Sequence, residues 1–232
     1  MSTNNQPESA SAPAELPGIG ESRKIFIAGG AGRIESLIAA PRESAAIRGI
    51  CVVCHPHPLY GGSMTHKVVY TLASAAMATG LMTARFNFRG VGHSDGSFDN
   101  ADGETEDALA VLAWLRARLP QAPLLLAGFS FGAYVSLKAA ARARPAALIS
   151  VSIPFGRYVD ATEPPPQPAC PWLALHSVDD EIVDFAESQT VLNGYARPPE
   201  FIRFDGAGHF FHGRLGDLRA AVLPFMEQHF GG

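Results

Sequence analysis

Two segments of the chain match the pattern Gly-x-Ser-x-Gly, in which a serine sits on a tight turn between a strand and a helix. They are residues 92–96, centred on Ser94, and residues 128–132, centred on Ser130. The flanking glycines remove side chains that would clash in such a turn. Only Ser130 follows an apolar run typical of a buried strand and precedes a helical pattern. The spacing therefore predicts that Ser130 is a nucleophile.

A serine hydroxyl is too weak an acid to attack unaided, so it needs a base, usually histidine, and an acid that holds this histidine in one tautomer. In a doubly wound sheet these partners come from loops at the carboxyl ends of later strands. His209 lies in a glycine-containing loop of this kind and is the predicted base. His212, nearer the last helix, is the alternative, whereas His66 and His229 fall within predicted helices as surface or packing residues.

Three aspartates are candidates for the acid that orients the histidine. Asp179, Asp180 and Asp184 lie in the loop after the predicted strand 172–176. Any of them places the nucleophile, the acid and the base in the order serine, aspartate, histidine along the chain, which is the order of the α/β hydrolases.

With this order the chain resembles the α/β-hydrolase superfamily from about residue 23 to 230, in its small carboxylesterase and dienelactone-hydrolase-like branch. Members often carry H-G-x-x-D-x-x-V-P after the corresponding strand. The segment His176-Ser-Val-Asp-Asp-Glu-Ile-Val-Asp184 is similar to it. The resemblance implies that Asp180 is the catalytic acid, with Asp179 in reserve.

The oxyanion of the tetrahedral intermediate needs two backbone N–H donors. The first is expected from Phe131, the residue after the nucleophile. By position in the family's corresponding loop, the resemblance implies His57 as the second donor, with Leu59 as the alternative. Residues 89–94 resemble another family loop, which shapes the floor of the site, and their role is expected to be structural.

The histidine and cysteine pairs of the chain do not match metal or redox motifs. His55 and His57 form an H-x-H pair, but Pro-Leu-Tyr follows where a metallohydrolase pattern has further aspartate and histidine. Cys51 and Cys54 lie in a predicted buried strand, where residues three apart point to opposite faces. We therefore predict no metal and no cofactor.

The candidate residues need a fold that brings several strand ends together. Short apolar runs alternate with helical patterns from residue 23 onward, which indicates βαβ units. We predict a single α/β domain over residues 23–230, a doubly wound, mostly parallel sheet without a cap domain, after a disordered leader over residues 1–20. The predicted strands are 24–28, 34–39, 50–54, 81–88, 124–127, 147–153, 172–176 and 201–204. The predicted helices are 65–79, 104–119, 131–144, 185–195 and 215–230.

The composition restricts the classes of ligand and the cellular location that can be expected. The 18 Lys and Arg against 22 Asp and Glu give a net charge of -4, which argues against nucleic acid as the main ligand. The uncharged stretches 68–84 and 119–137 are interrupted by polar residues or by proline and glycine, so no membrane segment is expected. The N-terminal residues lack the basic and apolar regions of a signal peptide, which predicts a cytoplasmic protein. A homodimer is left open.

We therefore predict a serine hydrolase that cleaves small carboxylic esters through a Ser-His-Asp triad and an acyl-enzyme. A thioesterase or a small peptidase would use the same triad, and a non-catalytic binding protein would use the same pocket. The link 154–171 is too short for a helical lid, so we expect an open site for short acyl chains. Five aromatic residues near the triad positions in sequence could either line this pocket or belong to the core: Tyr60, Phe129, Phe131, Phe155 and Phe210.

Overall fold

The computed structural model describes residues 15–42, 46–156 and 163–231. Within these ranges eight strands form one sheet and five α-helices pack on it. The strands are β1 Ser22–Gly29, β2 Gly32–Ala39, β3 Gly49–Cys54, β4 Leu81–Phe86, β5 Leu124–Phe129, β6 Ala147–Val151, β7 Trp172–Ser177 and β8 Glu200–Phe204. The helices are α1 Lys67–Ala78, α2 Asp102–Arg116, α3 Phe131–Ala143, α4 Phe185–Gly194 and α5 Leu215–Phe230.

The strand order in the sheet is β1-β2-β4-β3-β5-β6-β7-β8. β1 and β2 form an antiparallel hairpin, and β2 is also antiparallel to β4. All other neighbouring strands are parallel. The carboxyl ends of β3 to β8 therefore share one edge of the sheet, so the loops that carry the candidate residues meet there.

Helices cover both faces of the sheet. Every residue of β3, β5, β6 and β7 is buried, as expected for parallel strands packed on two sides. One face packs against α2, α3 and α4 through residues such as Leu112, Val135 and Leu192. The other packs against α1 and α5 through residues such as Leu72 and Val222. The predicted doubly wound, mostly parallel α/β fold is thus confirmed.

The hairpin strand β1 forms one edge of the sheet. Ile27 is its only buried residue, whereas Arg23, Lys24 and Phe26 are exposed. The Arg33 guanidinium lies 5.0 Å from the centroid of the Phe26 ring and covers it. This edge thus presents charge to solvent.

Some predicted boundaries differ from the structure. α1 begins at Lys67, two residues later than predicted, because His66 caps it and accepts a hydrogen bond from the Val68 N–H. α2 begins two residues earlier than predicted, at Asp102. β4 ends at Phe86 and not two residues later.

Parts of two predictions lie outside the described residues. These parts are residues 1–14 of the predicted leader and residues 157–162 of the link 154–171. The described residues of that link form no helix or strand. The leader and the domain limits stay predictions. No helix in the described ranges combines the length and apolar character needed to cross a membrane.

Candidate active site

Ser130 occupies the turn between β5 and α3. Its φ of 53° and ψ of −127° are a strained combination for a residue with a Cβ. A Cβ on Gly128 would lie 2.2 Å from the Gly132 carbonyl oxygen, and a Cβ on Gly132 would lie 2.4 Å from the carbonyl oxygens of Cys54 and His55. The turn therefore packs backbone against backbone, which is why both positions require glycine.

His209 links Ser130 to Asp180. Its Nε2 lies 3.1 Å from the Ser130 Oγ. Its Nδ1 lies 2.8 Å from Oδ2 and 3.0 Å from Oδ1 of Asp180. A carboxylate only accepts hydrogen bonds, so Nδ1 carries the proton of the neutral ring and Nε2 is left to accept from the serine hydroxyl. The structure thus brings the predicted nucleophile, base and acid into one hydrogen-bonded chain.

The Asp180 carboxylate is surrounded by donors. Its Oδ1 accepts from the N–H groups of Ile182 at 2.9 Å and Val183 at 2.7 Å, and its Oδ2 lies 3.2 Å from the His176 Nε2. Burial raises the pKa of Asp180, but hydrogen bonds from His176 and His209 outweigh burial and hold this pKa well below its usual value. The carboxylate is therefore ionised at neutral pH and fixed in orientation.

Two other carboxylates hold the loop that carries His209. Glu181 Oε2 accepts from the His209 backbone N–H at 3.0 Å. Asp179 Oδ1 accepts from the Gly206 N–H at 2.9 Å and from the Ser177 hydroxyl at 2.7 Å. Asp179 thus contacts the backbone of this loop, and Asp180 contacts the imidazole.

The candidate oxyanion donors lie on neighbouring residues. The Phe131 N–H is the first of α3, so it has no acceptor within the helix. The ring of His57 lies 4.8 Å from that of Phe131 between centroids. The Leu59 N–H donates to the His57 Nδ1 at 3.3 Å and is therefore already engaged. This geometry favours His57 over Leu59 as the second donor.

His55 holds the loop after β3 in place. Its side chain is fully buried, and burial lowers its pKa to about 3. The neutral ring donates from Nδ1 to the Pro56 carbonyl at 2.6 Å and accepts at Nε2 from the Phe88 N–H at 3.0 Å. Both ring nitrogens are thus used for structure, which leaves His55 no free nitrogen for a metal.

A cleft of about 350 Å³ opens beside Ser130. Its walls include His57, Tyr60, His66, Ile182 and Phe210. Among the residues that the structure describes, no Asp, Glu, Lys or Arg lines it. Tyr60 is 74% exposed, and Ile182 is 38% exposed. The cleft is therefore small, open and without formal charge on its walls.

The aromatic residues expected near the site are only partly there. Tyr60 and Phe210 line the cleft. Phe129 and Phe131 are fully buried on opposite faces of the sheet, which agrees with the alternative that they belong to the core, although the Phe129 ring lies 4.9 Å from that of His209 between centroids. Phe155 lies in the core cluster with α3 and does not line the cleft. Residue spacing alone does not distinguish a position in the core from one in the pocket wall.

His66 was expected within a helix and is instead part of the cleft. It caps α1, and its ring stacks on Phe129 at 5.0 Å between centroids. Burial is the main cause that lowers its pKa, to about 4, so the ring is neutral at pH 7. The sequence feature that could have indicated this role is its position between β3 and α1, where His57 also lies.

Ser94, at the centre of the second Gly-x-Ser-x-Gly segment, is buried in a loop. Its hydroxyl donates to the Asn87 carbonyl at 2.7 Å and accepts from the Glu35 N–H at 2.9 Å. Arg89, in the same loop, pairs with the buried Asp107. These contacts tie the loop to β2 and α2, as expected for a structural role.

The remaining candidates are separate from the Ser130 chain of hydrogen bonds. His212 is exposed, and His229 packs on Phe225 within α5. Asp184 caps α4 by accepting from the Glu187 N–H.

The two cysteines of β3 are fully buried. Burial raises the pKa of Cys54 to about 12 and also raises that of Cys51. The thiols are therefore protonated and unreactive at neutral pH.

Comparisons with known proteins identify the family of the chain. A family model for the alpha/beta hydrolase fold matches residues 52–166. A structure from Xanthomonas campestris, XC6422, described as an α/β serine hydrolase without lid, is 40% identical with a TM-score of 0.82 and covers 93% of this chain and 97% of its own. The chain belongs to the α/β-hydrolase superfamily.

Two further relatives of this α/β hydrolase cover nearly the whole chain. An α/β serine hydrolase homologue from Coxiella burnetii is 42% identical with a TM-score of 0.81, and covers 91% of this chain and 99% of its own. The uncharacterized protein RP471 from Rickettsia prowazekii is 35% identical over 213 residues, 88% of each chain. The superfamily and its lidless branch, predicted from the resemblance, are therefore confirmed, and the protein is a hydrolase.

Proposed function

We propose that this α/β hydrolase is a serine esterase that cleaves small carboxylic esters through an acyl-enzyme on Ser130. The observation that carries the proposal is the position of His209, whose Nε2 lies 3.1 Å from the Ser130 Oγ while its Nδ1 lies 2.8 Å from the Asp180 Oδ2. Both distances are within the range that proton transfer and orientation require. The strained turn holds the serine at this position.

In the proposed reaction, the Ser130 Oγ attacks the ester carbonyl carbon while its proton passes to the His209 Nε2. Asp180 stabilises the imidazolium that forms. The C–O bond to the alcohol then breaks, and His209 returns the proton to the leaving oxygen. Water then attacks the acyl carbonyl carbon while its proton passes to the same nitrogen. The bond to the Ser130 Oγ breaks, His209 returns the proton to this oxygen, and the acid leaves. No step calls for a cofactor.

The oxyanion formed in both halves of the reaction would be held by the N–H groups of Phe131 and His57. In a well-studied protease, removal of one such preorganised donor raises the activation free energy by about 3–4 kcal/mol. His55 supports the second donor indirectly, because its two buried hydrogen bonds fix the start of the His57 loop.

The cleft supports a small, uncharged substrate. Its volume of about 350 Å³ is near the lower end of ligand pockets, and its walls carry no formal charge. Each buried methylene contributes about 0.8 kcal/mol only where a wall covers it. We therefore expect kcat/KM on p-nitrophenyl esters to peak at roughly two to six acyl carbons and to fall for longer chains. A profile that still rises at twelve carbons would contradict the open cleft.

A thioesterase and a small peptidase remain alternatives, because the same triad serves each leaving group. A panel of matched ester, thioester and peptide substrates on the purified protein decides between them, and we expect the ester to be turned over fastest.

A binding protein without activity is the other alternative. A fluorophosphonate probe labels only an activated serine. Stoichiometric labelling of Ser130, prevented by prior incubation with an ester substrate, is the expected result. A protein that binds esters but neither labels nor turns them over would refute the esterase proposal.

A further inference from the structure

A second histidine contacts the proposed catalytic acid. His176, in β7, is 1% exposed, and its Nε2 lies 3.2 Å from the Asp180 Oδ2 and 3.2 Å from the Val183 carbonyl oxygen. Oδ2 is also the Asp180 oxygen nearer to His209. One carboxylate oxygen therefore lies within hydrogen-bond distance of two imidazole rings.

The contacts of His176 define its tautomer. A carboxylate and a carbonyl can only accept, so Nε2 must carry a proton. The Nδ1 atom is buried and has no hydrogen-bond partner among the described residues. A proton on Nδ1 as well would leave a buried N–H without an acceptor, which is costlier than an unused lone pair. The neutral ring with Nε2–H is therefore the favoured form.

The Ser152 N–H donates to the Leu175 carbonyl, which continues the β6–β7 register and places Ser152 beside His176. The Ser152 Oγ is the other buried side-chain atom without a partner in the described ranges. The two atoms form no hydrogen bond with each other, so the Nδ1 lone pair of the neutral ring is unused.

We propose that His176 is a positioning residue, whose Nε2–H holds the Asp180 carboxylate in line with His209 and takes up part of its negative charge. The inference rests on the proposed function, since it assigns a role within that triad. With His176 in place, Oδ1 is held by the N–H groups of Ile182 and Val183 while Oδ2 is shared between the two histidines. The carboxylate thus cannot rotate away from His209.

Removal of this donor should change the pH profile. Without His176, Oδ2 accepts only from His209, so the carboxylate becomes a stronger acceptor for the imidazolium. The base then stays protonated to a higher pH, and the acid limb of kcat/KM moves upward. The other titratable groups nearby, which the change leaves in place, are Glu181, His66, His212 and Arg203.

The test compares His176→Phe with His176→Gln. Phe keeps a ring against Phe185, which packs on His176 at 5.6 Å, but it has no donor. Gln places an amide N–H near the position of Nε2. For His176→Phe we expect a roughly tenfold lower kcat/KM on p-nitrophenyl acetate and an acid limb about half a unit to one unit higher. For His176→Gln we expect values within about threefold of the unmodified protein.

Thermal unfolding of both variants separates positioning from folding. A folded His176→Phe protein whose acid limb is unchanged would overturn the proposal, and so would a folded His176→Gln protein as impaired as His176→Phe. If the unmodified protein neither turns over esters nor labels, the esterase proposal fails. ¹⁵N-histidine NMR then decides the hydrogen bond directly: Nε2–H is expected, and a protonated Nδ1 would refute it.

Discussion

Residues 92–96 and 128–132 share one pattern of glycine and serine, but their surroundings differ in every respect that matters for chemistry. Ser130 lies between a buried strand and a helix, with its hydroxyl against an imidazole. Ser94 lies in a loop, with its hydroxyl bonded to two backbone groups. A serine whose hydroxyl is consumed by backbone groups stabilises a loop, whereas one held against a base can attack. The strand and helix that flank the pattern decide its role.

The largest expected effect separates the two serines by activity. Ser130→Ala removes the nucleophile, so kcat/KM on p-nitrophenyl acetate should fall by about 10⁴-fold or more and fluorophosphonate labelling should vanish. Ser94→Ala should retain activity within about fivefold, because its contacts are structural. Retained turnover in Ser130→Ala together with loss in Ser94→Ala would reverse the assignment.

The next effect tests the acid that serves the Ser130 segment. Asp180→Asn should lower kcat by about 10⁴, as in a well-studied serine protease, because the amide can hold the imidazole in the wrong tautomer. Asp179→Asn is the matched control. Asp179 contacts the Gly206 N–H and the Ser177 hydroxyl, so its replacement is expected to change kcat only slightly. If Asp179→Asn proved the worse variant, the acid would be misassigned by one residue.

The glycines of the two segments should differ in their effect on stability. In Gly128→Ala the new Cβ would meet the Gly132 carbonyl, which cannot move without distorting the turn, and a loss of about 3 kcal/mol or more in unfolding free energy is expected. In Gly92→Ala the Cβ would meet the side chains of Asn87 and Glu35, which can shift. The added cost of its φ of 59° gives about 1–2 kcal/mol. Urea denaturation measures both.

Ser94→Ala should reduce stability more than Ser130→Ala, which is the reverse of their expected effects on activity. Ser94→Ala deprives the Asn87 carbonyl and the Glu35 N–H of a partner, so the unfolding free energy should fall by about 1–3 kcal/mol. Ser130→Ala loses one contact beside the open cleft and should change it by less than about 1 kcal/mol. Equal destabilisation would show that the Ser94 hydroxyl is not structural.

The smallest effect concerns His55, which joins the loop of Ser94 to the loop of His57 through the Phe88 N–H. Its pKa of about 3 in the folded protein lies below the usual value of about 6.5 in the unfolded chain. Since the unfolded state binds the proton first, stability falls as the pH decreases from about 6.5 toward 3, by about 1 kcal/mol between pH 6.5 and 5.5 from this residue. His55→Gln should be less stable than the unmodified protein at pH 7, but its unfolding free energy should decrease less between pH 6.5 and 5.5.

Much of this molecule was predictable from sequence because chemistry and topology constrain it together. A nucleophile on a strand-to-helix turn restricts its partners to loops at the carboxyl ends of later strands, which left few candidates for base and acid. Alternation of apolar runs and helical patterns predicted the doubly wound sheet. The choice among Asp179, Asp180 and Asp184 needed a family resemblance, because all three lie in one loop.

The remaining features depend on local backbone turns and on side-chain directions, which residue types do not encode. The contact of His176 with Asp180 depends on a turn that folds the acid back along β7. The place of His66 depends on where α1 begins, a boundary that periodicity locates only within a few residues. The burial of Phe129 and Phe131 depends on where their rings point at the end of β5 and the start of α3, which nearness to Ser130 in sequence does not show.

The charged hairpin edge bears on how copies of this chain can associate. A dimer that extended the sheet through β1 would bring the backbone of one copy beside that of the other, along a strand that carries Arg23 and Lys24. Like charges facing each other across such a pair repel. The edge therefore resists strand-to-strand aggregation at high protein concentration.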